Sequence, residues 1–297
     1  METDFKLALI VNGRSKKGLR LLDELPELAA KIQVFRTEYS RHATELASIA
    51  IESGFQLIIA MGGDGTLSEV IQAFGMAHHN GLKLPLFSFI PCGSANDFAR
   101  NFKSNFSIRE LIQKAKDGQF QSVDLGQLKI VKKNRYFLNI ADYGFGADVA
   151  RRVNESPSRF GSDVTFLDAA TRAFMRAKKF SIELKIDDLI WSGNALAVIF
   201  ANGRSFGSGL IISPFAHVSS SYLNVIIIGE VSMLDYARNL PRVKLGKTIK
   251  HPGVHYFKAK SVELLSSPPP IMEADGEFVG NQVYGVSLIP SAIRLVV

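Results

Sequence analysis

Short apolar runs and longer amphipathic stretches alternate through residue 122. Phe5–Val11, Gln33–Glu38, Phe55–Met61 and Leu84–Ile90 read as strands. Leu19–Lys31, Arg41–Ser53 and Thr66–Ala77 read as helices, and a short helix follows the Pro91–Asn96 turn. Strands alternating with helices imply a parallel sheet covered on both faces. Ligands of such sheets sit at the carboxyl ends of the strands. Three polar or glycine-rich loops occupy that edge and can converge on one site: Asn12–Gly18, Gly62–Thr66 and Gly93–Asp97.

After residue 122 the spacing changes. Val123–Val131, Arg135–Ala141, Phe180–Ile186, Trp191–Ala201, Leu223–Gly229, Tyr256–Leu265 and Val283–Ile289 read as strands joined by turns rich in Asn, Gly, Asp and Pro. That pattern predicts an antiparallel sandwich or barrel. Helical insertions are expected over Ser162–Lys178 and Val231–Leu240. The Pro268-Pro269-Pro270 run reads as a stiff connector.

The 297 residues are 46% hydrophobic and 21% charged, a folded composition sufficient for one large or two ordinary domains. The net charge of +7 favours anionic partners. No aromatic-basic signature accompanies it, so nucleic acid is not an expected partner. Cys92 is the only cysteine, which excludes an intrachain disulfide and a cysteine zinc cluster. Met1-Glu2-Thr3-Asp4 is acidic, unlike a signal-peptide start, and no apolar run reaches bilayer-spanning length. A cytoplasmic protein is expected, with any membrane contact peripheral.

Met61-Gly62-Gly63-Asp64-Gly65-Thr66 joins a buried strand to a helix start. Glycines let backbone N–H groups approach a phosphate, the helix N-terminus adds partial positive charge, and Thr66 can cap the helix. A tight turn without a ligand has the same outline, so the other segments decide. Pro91–Arg100 again leads from strand to helix: Ser94 offers a hydroxyl, Asn96 or Asp97 a cap, and Asp97 a carboxylate able to hold Mg²⁺ through water. Asn12–Gly18 is basic, but Leu19-Arg20 stand where a P-loop requires Lys-Ser/Thr, so that motif is rejected. A phosphate contact and a solvated basic loop both remain open there. Gly203-Arg204-Ser205-Phe206-Gly207 has the spacing of a serine-hydrolase elbow, with Asp235 and His251 or His255 downstream. The elbow needs a following helix, and the residues up to Pro214 look extended. In Met272–Glu277, paired carboxylates flank a glycine. A hairpin turn accounts for them, and either Asp275 or Glu277 can accept a proton from an attacking hydroxyl.

Taken in order, these segments resemble the diacylglycerol kinase catalytic-domain family, bacterial lipid kinases related to sphingosine and ceramide kinases. The resemblance runs through G-G-D-G-T at Gly62–Thr66, G-S-A-N-D-F-A-R at Gly93–Arg100 and V-D-L-G at Val123–Gly126. It continues through F-L-N-I-A at Phe137–Ala141, A-N-G-R-S-F-G-S-G at Ala201–Gly209 and D-G-E at Asp275–Glu277, nearly the whole chain. It implies an α/β plus all-β fold. A Rossmann-like parallel α/β domain of the NAD kinase and diacylglycerol kinase type would occupy residues 1–122. An antiparallel β-sandwich would occupy 123–297, its last strand returning to the first domain, with a cleft between the two. ATP and Mg²⁺ are the implied cofactors. By similarity Gly63, Asp64, Gly65, Thr66, Leu67, Ser68, Glu69 and Ser94 bind the nucleotide, with Thr37 reaching it from the preceding strand end. Gly62 and Asn12 border the same site. Glu277 matches the family's proton acceptor. Asp64 and Asp97 match catalytic acidic positions, and Asp64, Asp97 and Asp124 match acidic positions implicated around the catalytic Mg²⁺, with Asp97 and Asp124 its implied ligands.

Three departures qualify the match. Ser68 stands where the family usually has Asn, and Gly-Ser-Ala-Asn-Asp replaces Gly-Thr-Gly-Asn-Asp; both keep small side chains. Ser221-Tyr222-Leu223 replaces Asp-Gly-Leu, whose Asp helps hold a structural Mg²⁺ in relatives. The corresponding site near Val218, Ser221 and Leu223 is thereby weakened. The implied activity is ATP-dependent transfer of the γ-phosphate to a lipid hydroxyl. Alternatives are a NAD kinase-like kinase of a soluble acceptor and a catalytically silent lipid- or nucleotide-binding homologue. A lipid acceptor brings a membrane partner. Arg151, Arg152, Arg159, Arg172, Arg176, Lys178 and Lys179 cluster with Phe160, Phe166, Leu167, Phe174 and Phe180, which suits an anionic surface at the inner face of the membrane. An amphipathic helix with a solvated basic face has the same composition. A homodimer is left open.

Overall fold

The computed structural model describes residues 5–24, 32–104, 106–131, 133–155 and 171–297, with the side chains of 152–155 excepted. The chain divides into two units, Met1–Val123 with Ser291–Val297, and Asp124–Pro290.

In the first unit, β1 (Leu7–Asn12), β2 (Gln33–Thr37), β3 (Leu57–Gly62) and β4 (Leu86–Pro91) form a parallel sheet in the order β2-β1-β3-β4. Helices cover it, so β1 and β3 are buried along almost their whole length. α1 (Lys16–Asp23) is capped by Ser15, whose side chain accepts the Gly18 N–H at 3.1 Å. Its expected extension to Lys31 falls outside the described residues after Glu24. α2 (His42–Glu52) and α3 (Asp64–His79) follow β2 and β3. α3 buries Val70, Ile71, Phe74 and Ala77, a helical stripe, and Phe74 packs 5.1 Å from Phe87. α4 (Ile108–Lys116) buries Ile108, Leu111 and Ala115 and was not anticipated from the sequence. The end of β16 (Val283–Leu295) lies parallel to β4, with Leu295 opposite Phe87.

The second unit is a sandwich. One sheet runs β9-β8-β13-β16, built from β8 (Phe180–Ile186), β9 (Leu189–Ala195) and β13 (Ser261–Leu264). β5 (Gln121–Ile130) pairs with β16 and with β6 (Lys133–Phe137). The other sheet contains β7 (Ile140–Gly144), β10 (Ala197–Ala201), β11 (Leu223–Ile228), β12 (Val254–Ala259), β14 (Met272–Ala274) and β15 (Glu277–Gly280). Its order is β12-β11-β10-β7-β14-β15. Tyr143, Leu184, Phe200, Val225 and Val286 belong to the core between the sheets. β8 shows the period of two: Ile182, Leu184 and Ile186 are buried while Ser181, Glu183 and Lys185 are exposed.

Three expected strands are each divided in two. Arg135–Ala141 becomes β6 and β7, Trp191–Ala201 becomes β9 and β10, and Tyr256–Leu265 becomes β12 and β13. In each case the halves lie in different sheets. The chain turns a corner of the sandwich there, so one apolar run serves both walls of the core. α5 (Phe145–Glu155) starts directly after β7, where Gly144 adopts φ 92°. α6 (Met233–Lys244) carries a capping box between Ser232 and Asp235. Of the expected Ser162–Lys178 insertion, residues 171–176 are helical. Arg159, Phe160, Phe166, Leu167 and the Arg152 side chain lie outside the described residues.

Candidate active site

The three loops at the strand ends of the first unit do meet. Asn12 Nδ2 donates to Thr66 Oγ1 at 3.1 Å, and Ser15 Oγ donates to the Cys92 carbonyl at 3.4 Å. The Gly13 N–H donates to Thr37 Oγ1 at 3.2 Å. Gly63 and Gly93 touch backbone to backbone: a Cβ on Gly93 would lie 2.5 Å from the Gly63 Cα. A Cβ on Gly62 would lie 2.3 Å from Thr66 Oγ1. Glycine is required at both places for space rather than for a special φ. α3 starts at Asp64, two residues earlier than expected, with Gly63 at its N-cap. Thr66 therefore does not cap it; its hydroxyl oxygen is taken by Asn12. An open polar pocket of about 270 Å³ is lined by Asn12, Arg14, Thr37, Glu38, Tyr39, Ser40, Gly63, Gly65, Thr66 and Glu69 among others.

The acidic side chains hold this frame. Asp64 accepts the Asp97 and Phe98 N–H groups, each at 3.2 Å, and so anchors the 3₁₀ turn Phe98–Asn101. Asp97 is buried, with Arg100 Nε 3.5 Å from its carboxylate. Asn96, in the left-handed region at φ 49°, accepts the Gly93 N–H and donates to the Gly93 carbonyl; it closes the loop and caps nothing. Glu69 accepts the Arg41 and Ala43 N–H groups at 2.8 and 3.1 Å, capping α2. Leu67 and Ser68 are buried, and the Leu67 N–H is spent on the Gly63 carbonyl. Ser94 is exposed.

In the second unit, β14 and β15 form a hairpin through Asp275 (φ 49°) and Gly276 (φ 82°), a two-residue turn with both residues left-handed. Asp275 accepts three backbone N–H groups, from Leu138 at 2.8 Å, Asn139 at 2.9 Å and Ile140 at 3.1 Å. Glu277 opens β15 and is exposed. The two candidates that the residues alone left equal are thus distinct in kind. Asp124 is buried and accepts the Ser221 N–H at 2.7 Å, while its own N–H donates to the Val218 carbonyl. Leu223 is fully buried at the start of β11. Around the 218–223 loop the donors are one carboxylate already holding an amide and a neutral serine, a poor match to the oxygen-rich shell of a hard cation. Among the described residues no group of three or more His, Cys, Asp or Glu could hold a metal. Ser205 is buried and the next residues form a Phe206–Leu210 bridge, not a helix, so the serine-hydrolase elbow is absent. Asp235 serves the α6 cap and lies 3.5 Å from His251.

Comparison with known proteins fits this layout. Residues 6–128 match the diacylglycerol kinase catalytic domain, and residues 139–297 match the YegS C-terminal NAD kinase beta sandwich-like domain. The chain belongs to the diacylglycerol kinase family. A diacylglycerol kinase of Staphylococcus saprophyticus is 29% identical over 283 residues, covering 92% of this chain and 89% of the relative. One from Staphylococcus epidermidis is 30% identical over 267 residues, covering 86% and 81%. A solved diacylglycerol kinase structure from Bacillus anthracis str. Sterne shares the fold, with a TM-score of 0.69 at 19% identity, covering 98% of this chain and 96% of that one. This member of a lipid kinase family presents Arg14 of the basic Asn12–Gly18 loop at the pocket, together with Glu38, Tyr39 and Ser40, which sequence reasoning did not single out. They sit in loops directly after β1 and β2, and position at the strand ends was the available signal. No helix among the described residues is long and apolar enough to cross a membrane.

Proposed function

We propose that this diacylglycerol kinase family member transfers the γ-phosphate of ATP to the hydroxyl of a diacylglycerol-type lipid. The observation that carries the reading is the Gly63–Gly93 contact, which holds the first turn of α3 open beside the pocket bordered by Asn12 and Thr37. Backbone N–H groups at a helix N-terminus suit a polyphosphate. Asp64, Asp97 and Asp124 are the carboxylates that family resemblance assigns to catalysis or to Mg²⁺; Asp64 and Asp97 suit binding through water. Mg²⁺, when bound, neutralises charge on the transferring oxygens. Glu277 accepts the proton of the acceptor hydroxyl, a role closed to Asp275 because its oxygens hold three amides. Exposed Arg172, Arg176 and Lys178 supply an electrostatic contact with an anionic membrane surface.

The test is incubation with γ-labelled ATP and vesicles containing diacylglycerol. Label is expected in phosphatidic acid. Glu277→Gln should lower kcat by about 10²–10⁴ and leave ATP affinity intact. Label appearing in NADP when NAD is offered, with none in lipid, would replace this reading by the soluble-acceptor one. Sedimentation with anionic vesicles should weaken as salt rises; salt-insensitive binding would remove the electrostatic contact.

A further inference from the structure

Two carboxyl groups lie buried in the second unit and take no part in the phosphoryl-transfer reading. Asp142 of β7 is 2% exposed, Glu273 of β14 is 4% exposed, and the strands place them directly opposite each other. Residues paired in this way point to one face, with Cβ atoms about 5 Å apart. Glu273 also serves the turn that precedes Glu277. A two-residue hairpin leaves the N–H groups of its central residues outside the ladder. Here the Asp275 N–H donates to the Ile140 carbonyl at 2.8 Å, and the Gly276 N–H donates to Glu273 Oε2 at 2.8 Å. Glu277 is exposed at the next position, so the backbone of that turn sets the direction of its side chain.

The charges around the pair call for a proton. Asp142 accepts the Gly146 and Ala147 N–H groups at the start of α5, where a Cβ on Gly146 would overlap its Oδ2, yet Oδ1 has no partner. Arg135 of β6 brings positive charge to Glu273, and its buried Nε has no hydrogen-bond partner. The neighbouring acids are already answered. Asp275 holds three amides, and Asp148 of α5 lies 2.8 Å from Arg151 Nη2. Asp235, on the α6 wall of the cavity that Asp142 lines, is held by Ser232 and lies 3.5 Å from His251. One cation beside two carboxyls leaves one negative charge to neutralise, and a proton held between the two gives Oδ1 its missing partner. Burial pushes both groups up, Asp142 to about 7, and the Asp142 charge raises Glu273 further.

We propose that Asp142 and Glu273 share one proton, and that this buried acid pair makes Glu273 a positioning residue, which grips the Gly276 N–H and so fixes the turn that presents Glu277. The role rests on the reading of Glu277 as proton acceptor, but the pair itself is measurable without turnover. Loss of the shared proton sets two negative charges against each other across β7 and β14, and the turn loosens.

Glu273→Leu removes the acceptor for Gly276. Glu273→Gln keeps a carbonyl for it and offers an amide N–H to Asp142, but carries no titratable proton. In the leucine variant kcat should fall at least about tenfold while ATP affinity, read by isothermal titration, stays within about twofold, because a displaced reacting group slows only the chemical step. The glutamine variant should keep kcat within about threefold of wild type near neutral pH. Wild-type kcat should decline as pH rises past about 7. In Glu273→Gln and in Asp142→Asn that decline should be absent, an effect that a merely structural contact does not produce. Hydrogen exchange of the Gly276 amide, followed without ATP or lipid, should quicken at least about tenfold in the leucine variant.

Undiminished kcat in a folded leucine variant, or equal losses in the leucine and glutamine variants, would overturn the positioning role. A decline with pH that survives in both amide variants would overturn the shared proton, and those two variants decide the matter even where Glu273→Leu does not fold. A protein that phosphorylates no lipid but shows the expected Gly276 exchange would sink the kinase reading and keep the pair. Lipid phosphorylation with Gly276 exchange unaltered by the leucine substitution would sink the pair and keep the kinase.

Discussion

Asp275 and Glu277 stand two positions apart and do different work. Asp275 gathers three amides from a segment more than 130 residues earlier, whereas Glu277 keeps its carboxylate in solvent. Removing an acceptor from part-buried N–H groups is costly, so Asp275→Ala should lower unfolding free energy by about 3 kcal/mol in urea titration. Glu277→Gln should stay within about 0.5 kcal/mol of wild type, as exposed substitutions do. If the two variants melt alike, the distinction between clamp and reactive group fails. That distinction was not legible in the sequence. Met272–Glu277 announced a hairpin and two acids, but the donors at Leu138, Asn139 and Ile140 carry no local mark of where their N–H groups point. Only family resemblance selected Glu277.

Among the elements, turns and alternating strands were the most readable. The glycine turn after β3, the lack of a helix after Gly207 and the sheet-and-helix alternation all follow from spacing and residue type, although residues 207–209 form a tight left-handed turn instead of the expected extended course. The corner between β9 and β10 did not, because Ala195, Leu196 and Ala197 are all buried and nothing polar punctuates that change of sheet. α4 was missed although Ile108, Leu111 and Ala115 have helical spacing, since the apolar stripe is only three residues wide in a polar segment. The contact of two turns gives a sharp prediction. Gly93→Ala drives a methyl into the Gly63 backbone, so ATP affinity should fall at least about tenfold, with about 1–3 kcal/mol lost from stability. Isothermal titration and urea unfolding check the two effects separately.

The facing carboxyls of β7 and β14 give a prediction in pH. Asp142 is raised in the folded state, so the stability it contributes is fully present below the ordinary carboxylate pKa. It is lost as pH climbs from about 4 through about 7. Melting temperatures should fall across that range in wild type and fall less in Asp142→Asn. Equal slopes would mean that the carboxyl ionises as freely folded as unfolded.

For the whole molecule, the division at Val123 and Ser291 means that the first unit is discontinuous in sequence. Its second piece is not ornamental. Ile293, Leu295 and Val296 are buried, the Val296 N–H donates to the Phe87 carbonyl, and Ser88 Oγ donates to the Val296 carbonyl at 2.7 Å. Deleting residues 291–297 should remove hydrogen-exchange protection from β4 while β8 and β9 keep theirs. Uniform loss across both units would show one cooperative block instead.

That final strand sets an order of events during synthesis. The ribosome emits the parallel sheet first, yet the edge beside Phe87 stays vacant until the C-terminal residues leave the exit tunnel. The sandwich, encoded later, is complete in sequence earlier. A released chain truncated after Pro290 should therefore display a protease-sensitive leading half ahead of a resistant trailing one.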